Sequence, residues 1–161
     1  MFPLIEKEQN VKKQVICFFV IALAFVTALS AQSNAFIDKL INEKEATYGE
    51  SVFMALAAAG LVKPDGTVAD AMAYLESSKW GYAKKADKPV TLGDLCYVLM
   101  RAFNMSGGFM YALFPGPRYA TREFQFLELV RRWPVPSRRL AGEEVLQIIG
   151  TTMSYNGEAA Q

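Results

Sequence analysis

The first long pattern along the chain is an uninterrupted apolar run, Val15 to Leu29, in which Thr27 is the lone polar residue. Lys12 and Lys13 stand just before it, and Ala28-Leu29-Ser30-Ala31 closes it with small residues. A positive flank, an apolar core and a small-residue end make a secretory signal peptide. The run is shorter than the roughly 20 residues that span a bilayer. The reading is a signal peptide or uncleaved anchor over residues 1–31, with cleavage leaving a chain that begins at Ala31 or Gln32.

Beyond it the pattern turns helical. Phe36, Ile37, Leu40 and Ile41 recur at helical spacing, so a short amphipathic helix is expected over Ala35–Ala46, within a segment 32–47. Tyr48–Leu61 is alanine-rich and helix-favouring, and Gly60 with Lys63-Pro64-Asp65-Gly66 ends it. Thr67 caps a helix over Val68–Ser77, whose apolar positions are Val68, Ala71, Met72 and Leu75. Lys79–Pro89 reads as a loop. Thr91 opens the clearest helix, with Asp94 three residues on as a variant capping box. Leu92, Leu95, Cys96, Leu99 and Phe103 then form one stripe. Gly107 to Pro117 reads as the longest irregular segment. A helix is expected over Tyr119–Arg132 with Phe124, Leu127 and Val130 on one side, broken by Trp133-Pro134-Val135-Pro136. The last helix is expected over Ala141–Met153, with Val145, Leu146, Ile149 and Met153 inward. No segment sustains strand alternation, so the fold class is all-α.

The two halves align. Ala58-Ala59-Gly60-Leu61-Val62 matches Phe126-Leu127-Glu128-Leu129-Val130, and the segment from Val90 to Leu99 matches Leu140 to Ile149. The organisation is a first helical unit over 48–106 with an insertion at 67–89, an apolar Gly/Pro loop over 107–118, a second unit over 119–155 and a disordered tail over 156–161.

At these residues the chain resembles the S-layer homology module of secreted bacterial envelope proteins. Gly60-Leu61-Val62-Lys63-Pro64-Asp65-Gly66 is similar to that module's helix end and turn. Val90-Thr91-Leu92-Gly93-Asp94 is similar to the Ile-Thr-Arg-Ala-Glu motif that opens its second helix. The resemblance implies two helix-turn-helix units packed as one small domain, and a place in the periplasm or cell envelope. In that family the motif arginine helps bind cell-wall polysaccharide; here Leu92 and Gly142 occupy its position.

Composition narrows the chemistry. The chain has no histidine and two cysteines among its 161 residues. Without histidine, the usual general base, the Ser-His and Cys-His pairs and the commonest zinc ligand are missing. Cys96, on a helix stripe, reads as a small core residue. Glu143-Glu144 could serve as paired carboxylates, but neighbours on a helix do not face each other, and they suit first-turn charges on its dipole. The expectation is a non-catalytic protein with no cofactor or metal.

Residues 1–31 hold three basic and two acidic side chains, leaving 17 − 3 = 14 basic and 16 − 2 = 14 acidic groups beyond them. Nucleic-acid binding is not indicated. The charge is nevertheless uneven: seven arginines lie between Arg101 and Arg139, against Glu123 and Glu128 alone. The segment 107–119 concentrates aromatics between glycines and prolines, which suits either a plug between the two units or a recognition surface. Phe109, Tyr111, Phe114, Arg118 and Arg122 are the candidate partner-binding set, with Arg118 and Arg122 spaced i, i+4 to clamp a carboxylate or phosphate. Arg131, Arg132, Arg138 and Arg139 lie close by in sequence, with ion pairing to Glu123, Glu128, Glu143 and Glu144 as their simpler role. Trp80 and Tyr82 are candidates for stacking on a sugar. The functional expectation is an exported protein-binding or structural assembly module with an envelope protein as partner, the alternative being a cell-wall glycan or peptidoglycan-binding module; the membrane is expected as a partner only if residues 1–31 stay uncleaved.

Overall fold

The structure, a computed structural model, describes residues 35–80, 82–130 and 134–159. The expected signal or anchor segment, and Arg131 and Arg132, lie outside the described residues. The chain divides into two units, Met1–Ile37 and Asp38–Gln161. Among the described residues the fold is all-α, with no strands. Helical residues 35–41 (α1) are followed by α2 (Tyr48–Ala58), α3 (Val68–Ser77), α4 (Leu92–Ala102), α5 (Phe109–Leu113), α6 (Pro117–Phe126) and α7 (Gly142–Ala159). No helix among the described residues is long and apolar enough to cross a membrane.

Helix α4 is the centre. Every residue from Leu92 to Met100 is buried, so the stripe read from the sequence understates a helix covered on all sides. It packs on α6, α2 and α7, while α2 also packs on α3 and α7. Leu99 and Ile149, equivalent in the sequence alignment, are both buried.

Three helices begin from one hydrogen-bonded ring. The Ala46 N–H donates to the Leu140 carbonyl at 2.9 Å, the Leu140 N–H to Val90 at 3.2 Å, and the Val90 N–H to Ala46 at 2.9 Å. Just outside it, the first N–H of each helix donates into the lead-in of another: Tyr48 of α2 to Lys88, Leu92 of α4 to Arg138, Gly142 of α7 to Glu43. Helix starts otherwise leave such donors open. The approach at α7 is so close that a Cβ on Gly142 would lie 1.6 Å from the Leu40 carbonyl oxygen, which only glycine permits.

Each start also carries an acid at its third position, held by a cation from the preceding segment. Glu50 takes Lys39, Asp94 takes Lys84 at 2.7 Å, and Glu144 takes both guanidinium nitrogens of Arg138 at 2.7 Å. Burial works against the charge of Glu50, yet hydrogen bonds from Lys39 and Thr47 hold its carboxyl below the usual value. Thr67 and Thr91 form capping boxes with Asp70 and Asp94, as their spacing predicts.

Several boundaries differ from the sequence reading. The first helix stops at residue 41, and Ala46 instead enters the ring. Helix α2 ends at Ala58, where Gly60 takes φ +70° and Leu61 N–H bonds back to Leu56. Helix α6 starts two residues early, at Pro117, whose fixed φ suits a first turn. It ends at Phe126 rather than Arg132 because Glu128 takes φ +58° and Leu129 N–H bonds back to Phe124. The alignment pairs Gly60 with Glu128, and the two helix ends close in the same way. Residues 156–159, expected in a disordered tail, are the end of α7. Met153, expected inward, is exposed.

Candidate functional site

The segment 107–118 is not an irregular loop. It holds α5, a five-residue helix whose first turn is made possible by the residues before it. A Cβ on Gly107 would meet the Tyr111 ring at 2.6 Å, so glycine there lets that ring fold back against the chain. Gly108 lies against the Glu123 carboxylate of α6, and Pro115-Gly116-Pro117 redirects the chain into α6.

This geometry splits the aromatic set. Tyr111 is 7% exposed, among Arg101, Tyr97 and Glu123; burial pushes its phenol up to about 12. Tyr111 is therefore withdrawn from the partner-binding set, since a ring at that spacing faces the core side of a short helix. Phe109 and Phe114 are 76% and 60% exposed, and Met110 and Leu113, in α5 with Phe109, are exposed as well.

Helix α6 extends the face. Ala120, Thr121 and Phe124 are buried, while Arg118, Arg122 and Phe126 fall at i, i+4 and i+8 on the exposed side. Phe126 is 82% exposed. Among the described residues neither Arg118 nor Arg122 makes an ion pair, whereas Arg138 and Arg139 are held by Glu144 and Glu45. The sequence reading missed Met110, Leu113 and Phe126. The spacing of Phe126 from Arg118 and Arg122 is the sequence signal for that residue.

Trp80 and Tyr82 are not brought into this face. The Trp80 ring meets Tyr74 edge-on at 6.0 Å, and its carbonyl accepts from the Tyr97 hydroxyl. Tyr82 meets Tyr97 edge-on at 5.7 Å and donates its hydroxyl to Asp94 at 2.5 Å. Burial and the Asp94 carboxylate both push the Tyr82 phenol up. Both rings are half-buried and engaged by their own domain, as structural packing requires. Cys96 is fully buried, and burial pushes its thiol well above the ordinary range, which disfavours the nucleophilic thiolate.

A separate cleft of about 290 Å³ lies between the end of α6 and α7, lined by Glu128, Leu129, Val130, Glu144, Gln147, Ile148 and Thr151. None of the sequence-predicted site residues lines it. Glu143 and Glu144 do not act together there: Glu144 is committed to Arg138, and Glu143 is exposed outside the lining.

No protein-family model, curated protein or solved structure matches the chain.

Proposed function

We propose that this chain is an exported, non-catalytic protein of the cell envelope that works by docking, through the face formed by α5 and α6. The observation that carries this is the exposure of Phe109, Met110, Leu113, Phe114 and Phe126 on and beside two helices that pack on each other, together with Arg118 and Arg122, exposed and without an ion pair among the described residues. Large apolar side chains gathered in one place on a folded surface mark an interaction site. Aromatic and arginine side chains are the types that dominate interface energetics. The export half rests on Lys12-Lys13, the Val15–Leu29 run and Ala28-Leu29-Ser30-Ala31. N-terminal sequencing of envelope-fractionated protein should find Ala31 or Gln32 first; Met1 would convert the reading to a membrane-anchored one.

The fold reading that accompanies it is a set of divergent S-layer-homology-like units. In support, Gly60 and Glu128 end their helices alike, and Ala46-Thr47-Tyr48-Gly49-Glu50 joins Val90 and Leu140 as a further helix start in the ring.

The test is photocrosslinking from position 114 in native envelopes. An adduct to protein or to lipid, lost when Phe109 and Phe126 are replaced by serine, supports docking at this face; no adduct of either kind overturns it. The glycan-binding alternative is favoured by one feature, the open cleft with Glu128, Gln147 and Thr151 in its walls. Co-sedimentation with purified sacculi, weakened by Gln147→Ala and Thr151→Ala together, would support it.

A further inference from the structure

We infer that the component covering the α5–α6 face is the surface of an anionic lipid bilayer, with Phe109, Leu113 and Phe114 inserted among the headgroups and Arg118 and Arg122 on lipid phosphates. This rests on the docking reading above and names the occupant of that same face.

Relief favours a bilayer. Phe109, Phe114 and Phe126 are 76%, 60% and 82% exposed, so the rings stand out from the surface. The cleft described above lies elsewhere, between the α6 end and α7. Projecting apolar side chains need an occupant that is soft and can be entered, which a bilayer boundary is. An interfacial helix buries its apolar face only about 5–10 Å deep, within reach of phenylalanine and leucine side chains on a single turn.

Charge favours a bilayer too. From Phe109 to Arg122 the only charged residues are Arg118 and Arg122, both exposed and without an ion pair among the described residues. Of the acids nearby, Glu123 is half-buried against Gly108, and Glu128 lies beyond Phe126 in the turn that lines the cleft. Basic side chains beside an apolar stripe complement anionic headgroups, and arginine forks match phosphate geometry. Proximity does so as well: the same chain carries the apolar Val15–Leu29 run behind Lys12 and Lys13, which brings it to a bilayer whether or not it is cleaved there.

The test uses the full chain with Met110→Cys in a Cys17→Ser background, labelled with an environment-sensitive fluorophore; Cys96, fully buried, stays unlabelled. Vesicles of phosphatidylglycerol and phosphatidylcholine carrying doxyl-labelled lipid quench the label if the face is inserted, and pure phosphatidylcholine vesicles do so weakly. The read-out is insertion at position 110, so attachment through residues 15–29 does not mimic it. Arg118→Gln with Arg122→Gln should weaken insertion about thirty-fold. Phe109→Ser with Phe114→Ser should weaken it about a hundred-fold. All four sites are exposed, so thermal melts should be unchanged. A label that stays in water while the chain co-sediments with anionic vesicles overturns the lipid assignment. The docking reading then stands if crosslinking from position 114 still gives a discrete protein adduct, and falls with it otherwise.

Discussion

Replacing Asp94 by asparagine should unfold this protein far more readily than any surface substitution of equal size. The carboxylate is 1% exposed and accepts three donors: the Tyr82 hydroxyl at 2.5 Å, the Lys84 ammonium at 2.7 Å and the Thr91 N–H at 3.0 Å. Asparagine keeps the shape but offers one acceptor oxygen, and turns two amide hydrogens toward groups that are themselves donors. Hydrogen bonds to charged groups are each worth about 1.5–3 kcal/mol, and breaking a buried ion pair costs about 3–5 kcal/mol. Lys84 keeps 34% of its side chain in water and can rehydrate, which places the loss near the low end, about 3 kcal/mol. At about 4 °C per kcal/mol for a domain of this size, the melting temperature should fall by about 12 °C. Urea unfolding followed by far-ultraviolet circular dichroism measures the change directly. In a Lys84→Met background the same substitution should cost about 1 kcal/mol less, because the pair is already broken. A cost below about 1 kcal/mol in the wild-type background would show that Asp94 is an ordinary cap and not the anchor of the Tyr82–Lys84 loop.

Three further outcomes are expected. Leu99→Ala and Ile149→Ala should each destabilise by about 2–5 kcal/mol in the same urea assay, and a melt unchanged by either would sink the equivalence of the two positions. Gly142→Ala should cost about 3 kcal/mol or more by driving a methyl group into the Leu40 carbonyl, and a variant that melts like wild type would refute the close approach. Burial, and next the Glu50 carboxylate, raise the Glu43 carboxyl above 4.5, so the folded chain holds a proton there that the unfolded chain gives up. Stability from this group therefore falls as pH rises through that window. Glu43→Gln should melt above wild type at neutral pH, with the advantage vanishing as pH falls toward 4.5; a constant difference across the range would show that Glu43 does not titrate with folding.

The sequence was most legible where local chemistry and tertiary packing agree. Thr67 with Asp70 and Thr91 with Asp94 mark their helix starts, and α3 runs over Val68–Ser77 as its spacing predicts. Thr47 and Glu50 carry the same signal, and Thr47 does cap α2. The sequence hides that start because a helix expected over Ala35–Ala46 runs up to Thr47. The ring of Ala46, Val90 and Leu140 has no local signature at all, since it is made from backbone groups far apart in the chain. The α5–α6 face was half legible. Its composition marked the segment, but which rings turn outward depends on a five-residue helix that no periodicity rule resolves, and so Tyr111 was grouped with Phe109 and Phe114 although it is buried.

The ring also sets the order in which this molecule can be completed. Its last member is Leu140, which supplies both the carbonyl that receives Ala46 and the N–H that reaches Val90. A nascent chain shorter than that can pair Val90 with Ala46, but the Ala46 N–H and the Val90 carbonyl lack their Leu140 partners, and Leu92 lacks the Arg138 carbonyl that receives its N–H. Closing the loop from Ala46 to Leu140 carries an entropic cost. The ring therefore cannot close until Leu140 has been made. Under the export reading that delay is useful, because a chain that has not closed can still be threaded across a membrane end-first.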